Sequence, residues 1–410
     1  MDFGVMLIHS ANKNSDPDLD KKCQAVLDRI GLEMGAALSF LEEASFIRQG
    51  FPCFFIGSGG CESWFLSISR QMRGPYYLLT TDNQNSLAAA MEILAYLQAH
   101  GERGEILHGS PSAIARALRA IYLAHTAKAR LAAMRLGVIG DAVERIASLE
   151  TPQAVREACG AELVSIPMQE LFQELQTGGF PESDHVRALL ALGYDRAEME
   201  KALNVYGALC RVRERYSLDA MTVRCFELLA PFNTTGCLAL SILNAEGTPA
   251  ACEGDIKSML SMAVLEALTG QPGFMANPSR LDPEKGEVVF AHCTLPLSMP
   301  ARCALTTHFE SGIGVALAGD IPTGPCTVFK TEADLSRYFA VPGVIEEDLH
   351  EPDLCRTQIR VRLPGGTDYF TRNPIANHQI ICCGDHVEEI RRLEGNAFRK
   401  AYCINVLSTG

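Results

Sequence analysis

Through its first hundred residues the chain alternates short, wholly apolar runs with longer amphipathic stretches. The runs are Val5-Met6-Leu7-Ile8, Cys53-Phe54-Phe55-Ile56 and Tyr76-Tyr77-Leu78-Leu79. Four apolar residues in a row, without polar alternation, predict strands covered on both faces. Between them a helical period predicts helices over 18–43, 62–72 and 86–100. Near Gly101-Glu102-Arg103-Gly104 a second alternation begins, with a strand over 105–108. Ser110-Pro111 then opens a helix reaching about Arg135, serine as cap and proline in the first turn. Further strands are expected at 136–140, 162–166 and 220–228, with helices from Thr151-Pro152, over 184–216 and over 235–244. Strand–helix alternation at this spacing predicts parallel sheets.

After about Gln271 the pattern changes to short apolar runs separated by Pro and Gly, at 287–293, 303–309, 314–318, 326–330 and 357–363. This is all-β spacing. A strand over 379–383 and a helix from about His386 to Tyr402 close the chain. The expected fold class is α/β: two doubly wound, Rossmann-like α/β domains at 1–102 and 103–270, then a C-terminal β-barrel or sandwich domain at 271–410. A length of 410 residues agrees with two or three cores.

The most informative stretch is Ala250-Ala251-Cys252-Glu253-Gly254-Asp255, which leads into the apolar helix pattern 256–268. Asp255 is suited to cap that helix, and Gly254 allows a sharp turn. Glu253 then lies at the carboxyl end of a buried strand and just outside a helix N-terminus. A carboxylate there is costly unless a metal ion, a basic group or a substrate pairs with it. A plain strand-to-helix turn with two solvated acids accounts for the same residues. Ligands in doubly wound sheets bind beyond the carboxyl ends of the strands, where Glu227 and Glu253 both fall.

Three histidines lie at expected strand edges in the β part: His292, His308 and His378. Histidines with a carboxylate suit a divalent ion that keeps positions open for substrate oxygens. Arg224, Arg280, Arg302 and Arg356 flank the same segments; they serve either in surface ion pairs or as bidentate grips on an anionic substrate. Gly57-Ser58-Gly59-Gly60 after the second strand offers a phosphate cradle or a simple turn, and lacks the dinucleotide spacing.

Net charge of −13 argues against a nucleic-acid partner. Fifteen cysteines, none in a Cys-x-x-Cys pair and most inside apolar runs, read as free thiols in a reducing cytoplasm. No apolar run approaches the roughly 20 residues of a membrane span.

Cys252-Glu253-Gly254-Asp255 with its helix, Pro272-Gly273-Phe274-Met275-Ala276-Asn277, and Asn377-His378 before the last strand resemble the L-fucose/L-arabinose isomerase superfamily. Leu136-Gly137-Val138-Ile139-Gly140-Asp141 is similar to that family's middle domain. The resemblance implies a metal-dependent aldose–ketose isomerase acting through an enediolate. It implies Mn²⁺ or another divalent cation, and a homo-oligomer, trimer or hexamer. Carried over, Glu253 matches the metal-binding and proton-transferring glutamate and His378 the metal-binding histidine. The second acidic ligand falls on Asn277, a modified ligand position whose amide oxygen can still coordinate a cation or bond a hydroxyl but carries no charge and moves no proton. Asp255, His292, His308 and Glu310 are the expected stand-ins. A substrate with an anionic group, such as a sulfosugar or phosphosugar, is expected if the arginines reach it. An epimerase or lyase using the same enediolate chemistry, and a sugar-binding protein without chemistry, are the alternatives that Asn277 leaves open.

Overall fold

The structure is a computed structural model that describes residues 2–10, 16–140, 152–394 and 402–403. It divides into two compact units, Met1–His125 and Thr126–Gly410.

In the first unit five strands, β1 (Asp2–Ile8), β2 (Ala37–Phe40), β3 (Cys53–Ile56), β4 (Tyr76–Leu79) and β5 (Gly104–Leu107), form a parallel sheet in the order β2-β1-β3-β4-β5. Alternate residues of one run enter opposite cores. Cys53 and Phe55 pack with Val5 and Leu79, whereas Phe54 and Ile56 pack with Met6, Ile8 and Leu78. That explains the unbroken apolar runs. Two expectations change here. The helix expected over 18–43 stops at Met34, where Gly35 takes a left-handed φ of 63° and caps it, and β2 follows before a short helix Glu43–Gln49. The strand expected to begin the middle domain is instead β5, the edge of this first sheet.

The glycine-rich turn spends its amides inside the protein. Gly57 donates to the Ile8 carbonyl (2.7 Å), Gly59 to the Gln84 carbonyl (2.9 Å) and Gly60 to the Glu62 carboxylate (3.3 Å). The structural-turn reading accounts for it.

The second unit holds a four-stranded parallel sheet, β6 (Arg135–Ile139), β7 (Glu162–Ile166), β8 (Ala220–Val223) and β9 (Ala250–Ala251), in the order β7-β6-β8-β9. The strand expected over 220–228 ends at Val223, and Cys225–Leu228 is a single 3₁₀ turn. The β part is a barrel rather than a sandwich. Strands β10 (Phe274–Asp282), β11 (Glu287–His292), β14 (Gly324–Thr331), β15 (Arg337–Asp348), β16 (Thr357–Arg362) and β17 (Gln379–Cys383) run in the order β14-β17-β10-β11-β16-β15, and β15 pairs back to β14 to close the ring. β12 (Arg302–Thr306) and β13 (Ala316–Asp320) form a separate hairpin, and β18 (Tyr402–Cys403) pairs in parallel with the start of β15 at Arg337 and Tyr338. Of the expected closing helix, Val387–Glu394 is described. Residues 395–401 and 404–410, like the expected cap Thr151, lie outside the described residues.

The helix Ile256–Thr269 joins the two layers of this unit. It packs against β6, β8 and β9 on one side and β14 and β17 on the other, and is buried almost all round. An apolar pattern without a polar face is what that position requires.

Candidate metal centre

Glu253 follows β9, and its backbone is left-handed, with φ of 62°. A non-glycine residue in that region costs of order 1 kcal/mol or more and persists where surrounding structure fixes it. The Gly254 amide bonds the Val223 carbonyl (3.0 Å) and the Asp255 amide the Cys252 carbonyl (3.2 Å), so the turn is held at both sheet strands. It presents the Glu253 side chain beyond the carboxyl end of the sheet. His292 is the last residue of β11, and His378 immediately precedes β17.

These three converge. Glu253 Oε1 lies 3.8 Å from His292 Nε2 and 3.7 Å from His378 Nε2, and the three ligand atoms fall within 4.8 Å of one another. A point equidistant from atoms so placed lies at most about 2.4 Å from each, close to the roughly 2.0–2.2 Å of nitrogen and carboxylate bonds to a divalent ion.

His378 provides an independent test of fit. It is wholly buried, and its Nε2 has no hydrogen-bond partner among the described residues. Its Nδ1 lies 3.0 Å from Asp255 Oδ2. A carboxylate accepts only, so Nδ1 carries the proton and Nε2 offers its lone pair towards Glu253. Burial holds the imidazolium down to about 4 against the opposing pull of Asp255, which keeps the ring neutral, as a ligand must be. Burial also works against ionised Asp255, yet the Lys330 charge and the His378 hydrogen bond outweigh it and hold the carboxyl well below its usual range. A neutral nitrogen lone pair, buried and aimed at a carboxylate and a second imidazole, fits a divalent cation. His292 Nδ1 is within 2.9 Å of the Thr294 hydroxyl, which leaves its Nε2 facing Glu253.

Of the four stand-ins expected for the missing acid, His292 is the one in the triad. Asp255 stands behind His378, His308 is bonded to the Ser311 hydroxyl (2.9 Å) and packs edge-on to Phe226, and Glu310 is exposed. Asn277 is on β10, one residue past the pairing of Ala276 with Gln379 and opposite Ala291, beside both histidine-bearing strands. Its amide oxygen accepts from Asn377 Nδ2 at 2.9 Å. Three of the four arginines meet carboxylates: Arg224 with Glu227 (2.9 Å), Arg280 with Glu351 (2.5 Å) and Arg302 with Asp320 (3.0 Å). Arg356 differs. It donates to the Thr307 carbonyl (2.8 Å) and hydroxyl (3.0 Å) and lies over the Phe309 ring at 5.5 Å. Among the described residues it meets no carboxylate.

Sequence reasoning missed Lys330, which is completely buried and reaches Asp255 Oδ2 (3.5 Å) and Ser258 Oγ (2.7 Å). A lysine inside the run Val328-Phe329-Lys330-Thr331 was the available signal.

Fold and site together describe an α/β protein with a closed barrel and a carboxylate–histidine group able to hold a divalent cation. No protein-family model matches the chain. It is similar to proteins named sulfoquinovose isomerase. That of Priestia megaterium is 26% identical over 263 residues, 60% of this chain and 58% of the relative. That of Alkalicoccus urumqiensis is 22% identical over 260 residues, 60% and 59% respectively. That of Clostridium sp. is 24% identical over 257 residues, 60% and 56%. The matches thus span less than two thirds of the relatives' length.

Proposed function

We propose that the chain is a sugar isomerase that interconverts the aldose and ketose forms of an anionic sulfosugar, with a divalent cation held by Glu253, His292 and His378. The convergence of those three side chains, one with an orphaned buried nitrogen, carries the reading. The names of the relatives support the substrate class, and the resemblance to fucose and arabinose isomerases supports the reaction. Aldose–ketose exchange moves one proton between C2 and C1 and another between O1 and O2. A bound cation, Mn²⁺ in this reading, supplies a Lewis acid for the developing negative charge. Glu253 takes the proton from carbon and returns it to the neighbouring carbon. His292 and His378 stay neutral and hold their rings by Thr294 and Asp255. Asn277 and Asn377, beside the histidines, offer amides to sugar hydroxyls. Arg356, with no carboxylate partner among the described residues, grips the sulfonate from the segment leading into β16, where Thr357 pairs with His292.

The test is ¹H NMR of sulfoquinovose in D₂O with metal-replete protein. Ketose formation with deuterium entering at C1 or C2 is expected. Glu253→Gln should abolish turnover and weaken the metal, and Arg356→Met should raise KM for the sulfonated sugar roughly 10-fold or more. Binding without turnover under Mn²⁺, Co²⁺, Mg²⁺ and Zn²⁺ would leave a sugar-binding protein instead. The cytoplasmic, homo-oligomeric reading stays with this proposal, and the fourteen cysteines whose side chains are described are all free thiols. Among the described residues no helix is long and apolar enough to cross a membrane.

A further inference from the structure

The buried polar groups behind His378 form a chain with one direction. Lys330 Nζ, on β14, donates to Ser258 Oγ at 2.7 Å. An ammonium has donors only, so the serine oxygen accepts and its own hydrogen must point elsewhere. It points to Asp255 Oδ2, 2.7 Å away. Asp255 Oδ1 is taken by the Ser258 amide at 2.8 Å, as the cap of the helix Ile256–Thr269. Both carboxylate oxygens are thereby fixed, and Oδ2 also meets Lys330 Nζ (3.5 Å) and His378 Nδ1 (3.0 Å). Asp255, Ser258, Lys330 and His378 are all buried, with Lys330 and His378 at 0% exposure.

Burying a lysine on a barrel strand is costly, and replacing such a pair by apolar groups is often neutral for stability. Lys330 is therefore weakly explained by stability. Its position accounts for it better. Two acids flank one imidazole, Glu253 at Nε2 and Asp255 at Nδ1, and only the second is a structural anchor. The helix cap holds Oδ1, whereas Lys330, by donating to Ser258 Oγ and standing beside Oδ2, orients the serine hydroxyl and the carboxylate oxygen that meets His378 Nδ1.

We infer that Lys330 is a positioning residue. Through Ser258 and Asp255 it fixes the His378 ring with Nε2 directed at Glu253, and so sets the affinity of the cation site. This rests on the metal reading proposed above. Outer hydrogen-bond partners of metal ligands are worth about 10–100-fold in affinity.

The experiment compares chelator-stripped parent with Lys330→Met, Ser258→Ala and Lys257→Met. Calorimetric Mn²⁺ titration and the visible spectrum of the Co²⁺-loaded proteins are the readouts. Lys257 is a second buried lysine, on the helix that carries Ser258, and is paired with Glu332 at 2.5 Å. Lys330→Met should weaken Mn²⁺ about 10–100-fold and change the Co²⁺ spectrum. Ser258→Ala should move both in the same direction by a smaller factor. Lys257→Met should lose stability but keep the parent's affinity and spectrum. A folded Lys330→Met with parental affinity and spectrum overturns the inference. If that variant does not fold, Ser258→Ala with parental values overturns it equally. A parent that binds none of the divalent ions removes the metal reading, and this inference with it.

Discussion

Cation binding should be visible as heat stability, and its size follows from the site. His378 Nε2 is buried without a partner among the described residues, a condition worth about 1–3 kcal/mol against the folded state. A cation relieves it and binds the folded chain alone, because Glu253, His292 and His378 are far apart in sequence. At 100 times its Kd such a ligand stabilises by about 2.7 kcal/mol. For domains of 150–250 residues each kcal/mol moves Tm by about 2–4 °C. The unit carrying the site, Thr126–Gly410, is larger still, so the low end applies and roughly 5 °C is expected. The assay is a thermal melt of chelator-stripped protein with and without Mn²⁺. The rise should reverse with chelator and fall below about 1 °C in His378→Ala. The reasoning fails if no divalent ion moves the parent, or if His378→Ala shows the parent's full shift.

Three further outcomes follow from geometry elsewhere. Glu253→Asn, with a shorter neutral side chain, should lose the Mn²⁺-dependent rise in Tm while the metal-free melt stays within about 0.5 kcal/mol of the parent, since the side chain is partly exposed; a retained rise would remove Glu253 from the site. Glu174 is 5% exposed and accepts from Arg211 Nε at 2.7 Å, with Arg215 on its other oxygen. The Arg211 hydrogen bond lowers its folded pKa, despite burial, so its stabilisation is present above the unfolded value of about 4.3 and is lost as pH falls through the folded value. Glu174→Gln should therefore cost about 1.5–3 kcal/mol at pH 7, and the gap in urea midpoints should close below about pH 4; a gap that widens in acid contradicts the sign. Gly207→Ala lies inside the helix Arg196–Tyr216, where alanine ordinarily gains about 1 kcal/mol. Here its Cβ would stand 2.1 Å from the Gly179 carbonyl oxygen, so a net loss of about 2 kcal/mol is expected in urea unfolding, and an unchanged midpoint would show that the backbone yields freely.

Strands buried on both faces were the most legible parts of this chain. Cys53–Ile56 and Tyr76–Leu79 needed nothing beyond their apolar runs, and Asp255 announced its helix as an N-cap. β10 and β15 were not expected. β10 carries Pro278 and a register shift between Pro278 and Arg280, and β15 carries Pro342, Gly343 and the acids 346–348, features that interrupt a strand pattern. In the site, Glu253 and His378 rested on local texture and on the family resemblance. His292 was only one of four stand-ins, because its partner approaches across the fold from β9, and no local period records that. Lys330 escaped for the same reason: the groups that require it, Asp255 and Ser258, lie more than seventy residues earlier.

The barrel ring closes through pairs made late in the chain. Glu253 enters from the parallel sheet, His292 from β11, and His378 from the residue before β17, the last strand of the closed ring. During synthesis from the N-terminus, the carboxylate and first histidine emerge long before the second. The three-residue group is therefore complete only once the residues leading into β17 have been made. On the metal reading proposed above, the group that would hold a cation is a property of the closed barrel and not of any one segment.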